Sequence, residues 1–244
     1  MSAIFDQSEV NFKDYKQIGS IFDGLCSRIY LYEDKKTGKK ITIKISKQEV
    51  NKGMEKSFKN QIQKFNSIIN PAILHLSNFI LSDAQNKILN PIFLTEYMPK
   101  GSLKNFLELK EKQTQIILND TKKYVIFIGI ALGMKSIHDN NIIHGNLDPS
   151  HILLDDNYYP KIKVINFSQF IQTEEGFSIY KSPEVYINSE FYQESDVYSF
   201  AFIAYQLFTG LPPIIKSKTE YQKMEQIKFL FNICVKFIFA NSKY

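Results

Sequence analysis

The chain has 244 residues, 44% of them hydrophobic, enough for one large domain or a two-lobed unit with its own core. Its net charge of +5, from 30 basic and 25 acidic residues, is spread along the sequence, which argues against a nucleic-acid-binding surface. Cys26 and Cys234 supply neither a disulfide framework nor metal-ligand spacing and point to a reduced, cytoplasmic setting, and no stretch has the character of a signal peptide or a membrane span.

Residues 14 to 46 predict strand, turn and strand. Arg28 to Tyr32 and Ile41 to Ile45 alternate as half-buried strands do. The cluster Lys35, Lys36, Lys39 and Lys40 around Thr37-Gly38 reads as the solvated tip of a hairpin. Residues 53 to 69 place Phe58, Ile62, Phe65 and Ile69 on one helical face, closed by Asn70-Pro71. Ile73 to Leu81 and Ile88 to Leu94 predict two further strands, completing a five-stranded antiparallel sheet. Residues 104 to 112 and 119 to 140 predict helices, the second amphipathic through Val125, Ile128, Ala131, Leu132 and Ile137. Two short strands, Ile152 to Leu154 and Ile162 to Ile165, flank the polar turn Asp155-Asp156-Asn157.

Around those two strands lie His144-Gly145-Asn146-Leu147-Asp148-Pro149-Ser150-His151 and Asn166-Phe167-Ser168. This stretch closely resembles the catalytic and metal-binding loops of eukaryotic protein kinases, H-R-D-L-K-P-S-N-I-L-L followed by D-F-G. Further matches are Tyr180-Lys181-Ser182-Pro183-Glu184 at the A-P-E region, and Ser195 to Ala201 with Leu207 to Pro213, a pattern typical of the tyrosine-kinase-like group. Together the motifs run in order over residues 15 to 215. The resemblance implies an α+β, protein-kinase-like fold. Residues 1–97 would form the N-lobe with its sheet and one helix, residues 98–215 a shortened helical C-lobe, and residues 216–244 an apolar helical tail in place of the late C-lobe helices.

The same resemblance places an ATP site. Lys44 matches the lysine that holds the α- and β-phosphates, and Gln61 falls where that lysine's glutamate partner would be. Phe22, Gly24 and Ser27 fall on the three positions of the glycine-rich loop, so Gly24 alone is kept; a Cβ at such positions obstructs close approach to phosphate. Ile29 and Leu153 would flank the adenine, with Thr42 in place of the usual alanine. Thr95 takes the gatekeeper position, and Glu96 to Met98 offer backbone groups to the adenine edge. Asp196 should brace the backbone of the catalytic loop from within the core.

The chemical letters depart from the pattern. The catalytic aspartate is Asn146, an amide that cannot take a proton, where general-base assistance is commonly worth about 10²–10⁴-fold. The metal-binding aspartate is Asn166, a weak ligand for hard Mg²⁺, and the asparagine of the second metal is His151, whose imidazole suits softer ions. The lysine near the γ-phosphate is Asp148, read either as a charge reversal or as a displaced base or metal ligand. Gly145 replaces the loop arginine, and Glu184 lacks the late arginine it normally pairs with, because Arg28 is the chain's one arginine. The expected function is a pseudokinase, a signalling or scaffold module that works through protein partners, with little phosphotransfer, weak ATP binding and a doubtful Mg²⁺ site. The rivals are a divergent but active Ser/Thr kinase and an interaction protein that binds no nucleotide.

Overall fold

The structure, a computed structural model, describes residues 12–25, 27–47, 49–50, 52–81, 90–111, 118–163 and 178–212. They form two units: one holds residues up to Ile69 with Leu74–Met98, the other Asn70–Ile73 and the described residues from Pro99 on.

In the first unit, strands β1 (Tyr15–Asp23), β2 (Ser27–Asp34), β3 (Lys40–Ser46), β4 (Leu76–Leu81) and β5 (Pro91–Glu96) form one antiparallel sheet in the order β1-β2-β3-β5-β4. The period of two in β3 does the sorting. Ile41 and Ile43 are buried with Leu94 on one face, which leaves Thr42 and Lys44 on the other. In the β2–β3 turn, Asp34 Oδ1 accepts the N–H groups of Lys36 and Thr37 at 2.8 and 2.9 Å, and its four lysines are exposed, as a solvated tip requires. Helix α1 (Glu55–Asn66) buries Phe58, Ile62 and Phe65 and sets the Phe58 ring edge-on to Phe93 of β5, 6.5 Å away.

Three elements have bounds that differ from expectation. Helix α1 ends at Asn66, where the Ser67 and Ile68 N–H groups close onto Gln63 and Phe65 carbonyls and the phase of the face shifts. Ile68 turns inward (3% exposed) and Ile69, expected inside, is 92% exposed. The strand expected from Ile73 starts at Leu76, whose N–H and carbonyl are both taken by the Asn66 side chain, at 2.9 and 3.1 Å. The strand expected over 88–94 runs from Pro91 to Glu96; residues 82–89 lie outside the described residues.

The second unit holds α2 (Leu103–Glu111), α3 (Asp120–Asp139), the short hairpin β6 (Ile152–Leu154) and β7 (Pro160–Ile162), α4 (Pro183–Asn188) and α5 (Gln193–Thr209). Asn119 caps α3 by accepting the Lys122 N–H at 2.9 Å. The buried face of α3 is Ile126, Ile130, Gly133, Met134 and Ile137, so of the face expected from the sequence only Ile137 stands; Ile128 and Leu132 are 51% and 54% exposed. Apolar residues surround this helix on most sides, so periodicity does not select a face, whereas small residues do. A Cβ on Gly129 would stand 2.5 Å from Pro160 Cγ, and one on Gly133 would stand 2.7 Å from Ile162 Cδ1 and 3.3 Å from the Ala72 carbonyl oxygen. The two glycines therefore let β7 and the Asn70–Ile73 segment lie against the helix. Asn70 ties that segment down by donating to the Leu132 carbonyl (3.2 Å) and to Ser136 Oγ (2.6 Å), and Ala72 accepts the Ile162 N–H at 2.7 Å.

Gly133→Val is expected to lower stability by roughly 2–3 kcal/mol, because two methyl branches would meet Ile162 and the Ala72 backbone. A urea midpoint unchanged from the parent would refute the close approach. Opposite, Phe127 of α3 stacks on Phe200 of α5 at 5.0 Å and meets Phe208 edge-on at 5.7 Å, while Phe202 and Ile203 of α5 are fully buried. Among the described residues, no helix is long and apolar enough to cross a membrane.

Candidate functional site

In the first unit the strand register gathers four of the residues expected to hold nucleotide. Lys44 pairs with Ile29 on β2 and Phe93 on β5, and Thr42 pairs with Leu31 and Thr95. Direct antiparallel partners point to the same face, so Ile29, Thr42, Lys44 and Thr95 share one side of the sheet. Glu96 pairs with Ile41 and so belongs to the opposite face, while Met98, just past β5, is 6% exposed.

The glycine-rich loop has a different character. Gly24 donates its N–H to the Ser27 carbonyl at 3.0 Å, and the Phe22 ring lies where a Gly24 Cβ would be, with Cζ 2.4 Å from that point. The backbone donor that a phosphate would use is thus already engaged within the loop. Asp23 at the same tip is held ionised below the usual carboxylate range by Lys47 Nζ (2.6 Å) and by Arg28 Nε (3.4 Å).

The catalytic-loop residues lie in the second unit, between α3 and β6. The segment begins where Ile142 returns its N–H to the Ile137 carbonyl, and Gly145 adopts φ +70, a left-handed conformation that costs a residue with a Cβ about 1–3 kcal/mol. Asp196, in the first turn of α5 and 1% exposed, braces this turn as the sequence led us to expect. Its Oδ2 accepts the His144 N–H at 2.8 Å, and its Oδ1 accepts the Gly145 N–H at 2.8 Å. The sequence reading missed a third partner, His138 Nε2, 2.9 Å from Oδ2. His138 is a polar residue in the last turn of α3, and only the crossing of α3 and α5 brings it to the carboxylate.

His144 is buried with both ring nitrogens in use. Nδ1 accepts the Asn146 N–H at 3.2 Å, so Nε2 carries the proton and donates it to the Lys163 carbonyl at 2.8 Å. Desolvation drives its pKa down to about 4, with the Asp196 charge opposing. The ring is therefore a neutral structural pin.

The expected charge-bearing positions are rearranged. Asp148 caps a single 3₁₀ turn, Pro149–His151: its Oδ1 accepts from Ser150 N at 2.6 Å and His151 N at 3.2 Å, and lies 3.1 Å from His151 Nδ1. Burial works against its ionisation, but the His151 ring, as hydrogen-bond partner and as charge, together with Ser150, holds the carboxyl well below the usual carboxylate range. A carboxylate this acidic, with one oxygen taken by three donors, is a poor proton acceptor. Two departures from the kinase pattern, aspartate for lysine and histidine for asparagine, have become partners of each other. Leu153 follows on β6, paired with Lys161. Asn166 lies outside the described residues.

Past the undescribed segment, residues 178–182 are held by side chains from α4 and α5. Tyr186 Oη donates to the Ser178 carbonyl (2.8 Å), Ser199 Oγ to the Tyr180 carbonyl (2.6 Å), and Tyr180 Oη to Gln206. Glu184, lacking an arginine, accepts from Ser195 Oγ at 2.7 Å.

A family profile described as protein tyrosine and serine/threonine kinase matches residues 15–233. The chain is a protein kinase domain. It is 27% identical over 230 residues to the dual specificity protein kinase shkB of Dictyostelium discoideum, covering 90% of this chain and 33% of that protein. It is 28% identical over 186 residues to a G-type lectin S-receptor-like serine/threonine-protein kinase of Arabidopsis thaliana, covering 72% and 21%. It is 32% identical over 186 residues to cysteine-rich receptor-like protein kinase 25 of the same plant, covering 71% and 26%. The kinase domain thus spans a third or less of the length of these relatives.

Proposed function

We propose that this kinase domain is a pseudokinase of the tyrosine-kinase-like group, a signalling or scaffold module with little or no phosphotransfer that acts by binding protein partners. The observation that carries this reading is the catalytic loop. Its frame is complete, with Asp196 bracing His144 and Gly145, while the positions that would carry charge hold Asn146, an Asp148 committed to capping, His151 and Asn166. Phosphoryl transfer is catalysed mainly by positioning and by neutralising charge with Mg²⁺ and basic groups, so losing these residues together removes most of what the fold contributes.

Nucleotide binding belongs to the same proposal. Ile29, Thr42, Lys44 and Thr95, with Glu96, Met98 and Leu153, would hold ATP weakly, because the Gly24 amide is already bonded to Ser27. Asn146, Asn166 and His151 are a poor donor set for Mg²⁺, which prefers anionic oxygen. Thermal unfolding with ATP, with and without Mg²⁺, tests both points, since a ligand of the native state raises Tm by mass action. We expect any shift to be small and the same with and without the metal. A shift that requires Mg²⁺, or phosphate transfer to a protein substrate abolished by Lys44→Ala, would overturn the reading.

A further inference from the structure

A small cavity of about 10 Å³ lies within the second unit, walled by the catalytic loop, the 178–182 segment and the start of α5. Asn146, Tyr180, Ser182, Ser195 and Ser199 are among the residues that line it. Ser182 is 1% exposed, yet its hydroxyl has no hydrogen-bond partner among the described residues. Burial works against ionisation of the neighbouring Glu184 carboxyl, and the Ser182 hydroxyl, close by but outside hydrogen-bond geometry, helps the Ser195 bond to pull it below the usual range. An unmatched buried hydroxyl costs about 1–3 kcal/mol, so a native fold seldom leaves one without a partner.

We propose that this cavity is a specific site for one ordered water, which links the Ser182 hydroxyl to the first turns of α5. The volume is close to that of the one probe sphere a water requires. The chemistry of the lining also fits. The Ser195 hydroxyl proton is committed to Glu184 at 2.7 Å, and that of Ser199 to the Tyr180 carbonyl at 2.6 Å or the Ser195 carbonyl at 3.0 Å. Ser195 Oγ also accepts the Tyr192 N–H at 3.3 Å and keeps one lone pair, Ser199 Oγ has lone pairs to accept with, and Ser182 keeps a proton to give. A water here accepts from Ser182 and donates to Ser195 and Ser199, making the three bonds usual for a buried water. It would fasten the 178–182 segment to α5 beside Asn146, the degenerate catalytic position.

The test is water-selective nuclear Overhauser spectroscopy on the full chain, with Ser182→Ala as the variant. The expected result is a long-lived water cross-peak to the Ser182 amide in the parent, lost in Ser182→Ala, together with a Tm lowered by about 2–4 °C, the shift usual for 1 kcal/mol in a domain of this size. No cross-peak in the parent would overturn the proposal, as would one that survives the substitution. So would a rise in Tm, the sign expected if alanine merely removes an orphaned hydroxyl. A higher Glu184 pKa in Ser182→Ala, with no water cross-peak in the parent, would instead assign the hydroxyl to Glu184.

Discussion

Replacing Asp196 by alanine is expected to destabilise the kinase domain by roughly 3–5 kcal/mol, the range seen when one member of a buried charged network is removed. The carboxylate is 1% exposed and serves the His144 and Gly145 amides and the His138 ring at once. Without it, two amide N–H groups and an imidazole lose the acceptor they share. For a domain of this size the loss corresponds to a Tm lower by about 6–20 °C. Asp196→Asn keeps the volume and one acceptor oxygen, so it should lose less. A loss under about 1 kcal/mol in Asp196→Ala would show that the loop is held by something else. Because this brace involves no catalytic chemistry, the effect is expected whether or not the domain transfers phosphate.

The second large effect is a response to acid carried by His144. An unfolded histidine titrates near 6.5, whereas the buried ring has a pKa of about 4. Between those values the unfolded chain binds a proton that the folded chain refuses. Stability due to this group is therefore fully present above pH 6.5 and is lost as pH falls through the window to about 4. Over those 2.5 units (from 6.5 to 4) the loss reaches about 3 kcal/mol. Urea unfolding of the parent and of His144→Gln at pH 7 and pH 4.5 measures it. The variant should be less stable at pH 7, where it lacks the bond to Lys163, and should lose less than the parent on acidification. Parallel curves for the two proteins would rule out His144 as the titrating group.

Much of the kinase domain was legible before any coordinates. The alternation in β2 and β3 sorts its own faces, since the period of a strand is a local property, and the five-stranded sheet follows from it. The loop glycine was legible as a lost arginine, though not as the residue that relieves a left-handed backbone at position 145. The mutual loss at Asn146, Asp148, His151 and Asn166 was likewise visible as letters.

The partners of those letters required the tertiary structure. Asp148 read as a possible base because sequence reports its charge but not the three donors that gather on one of its oxygens. His138 gave no signal, since a histidine in the last turn of a helix is ordinary until another helix presents a buried carboxylate. The face of α3 was misassigned because its apolar residues ring the helix; the choice among them was made by Gly129 and Gly133, which admit Pro160, Ile162 and Ala72. The sequence by itself determined the kinase-type sheet and loops and which residue types stand at the motif positions, because period and residue type are local. Only the fold decided which buried groups satisfy one another, because a hydrogen bond in the core joins residues far apart in the chain and is enforced by the cost of leaving either side unpaired.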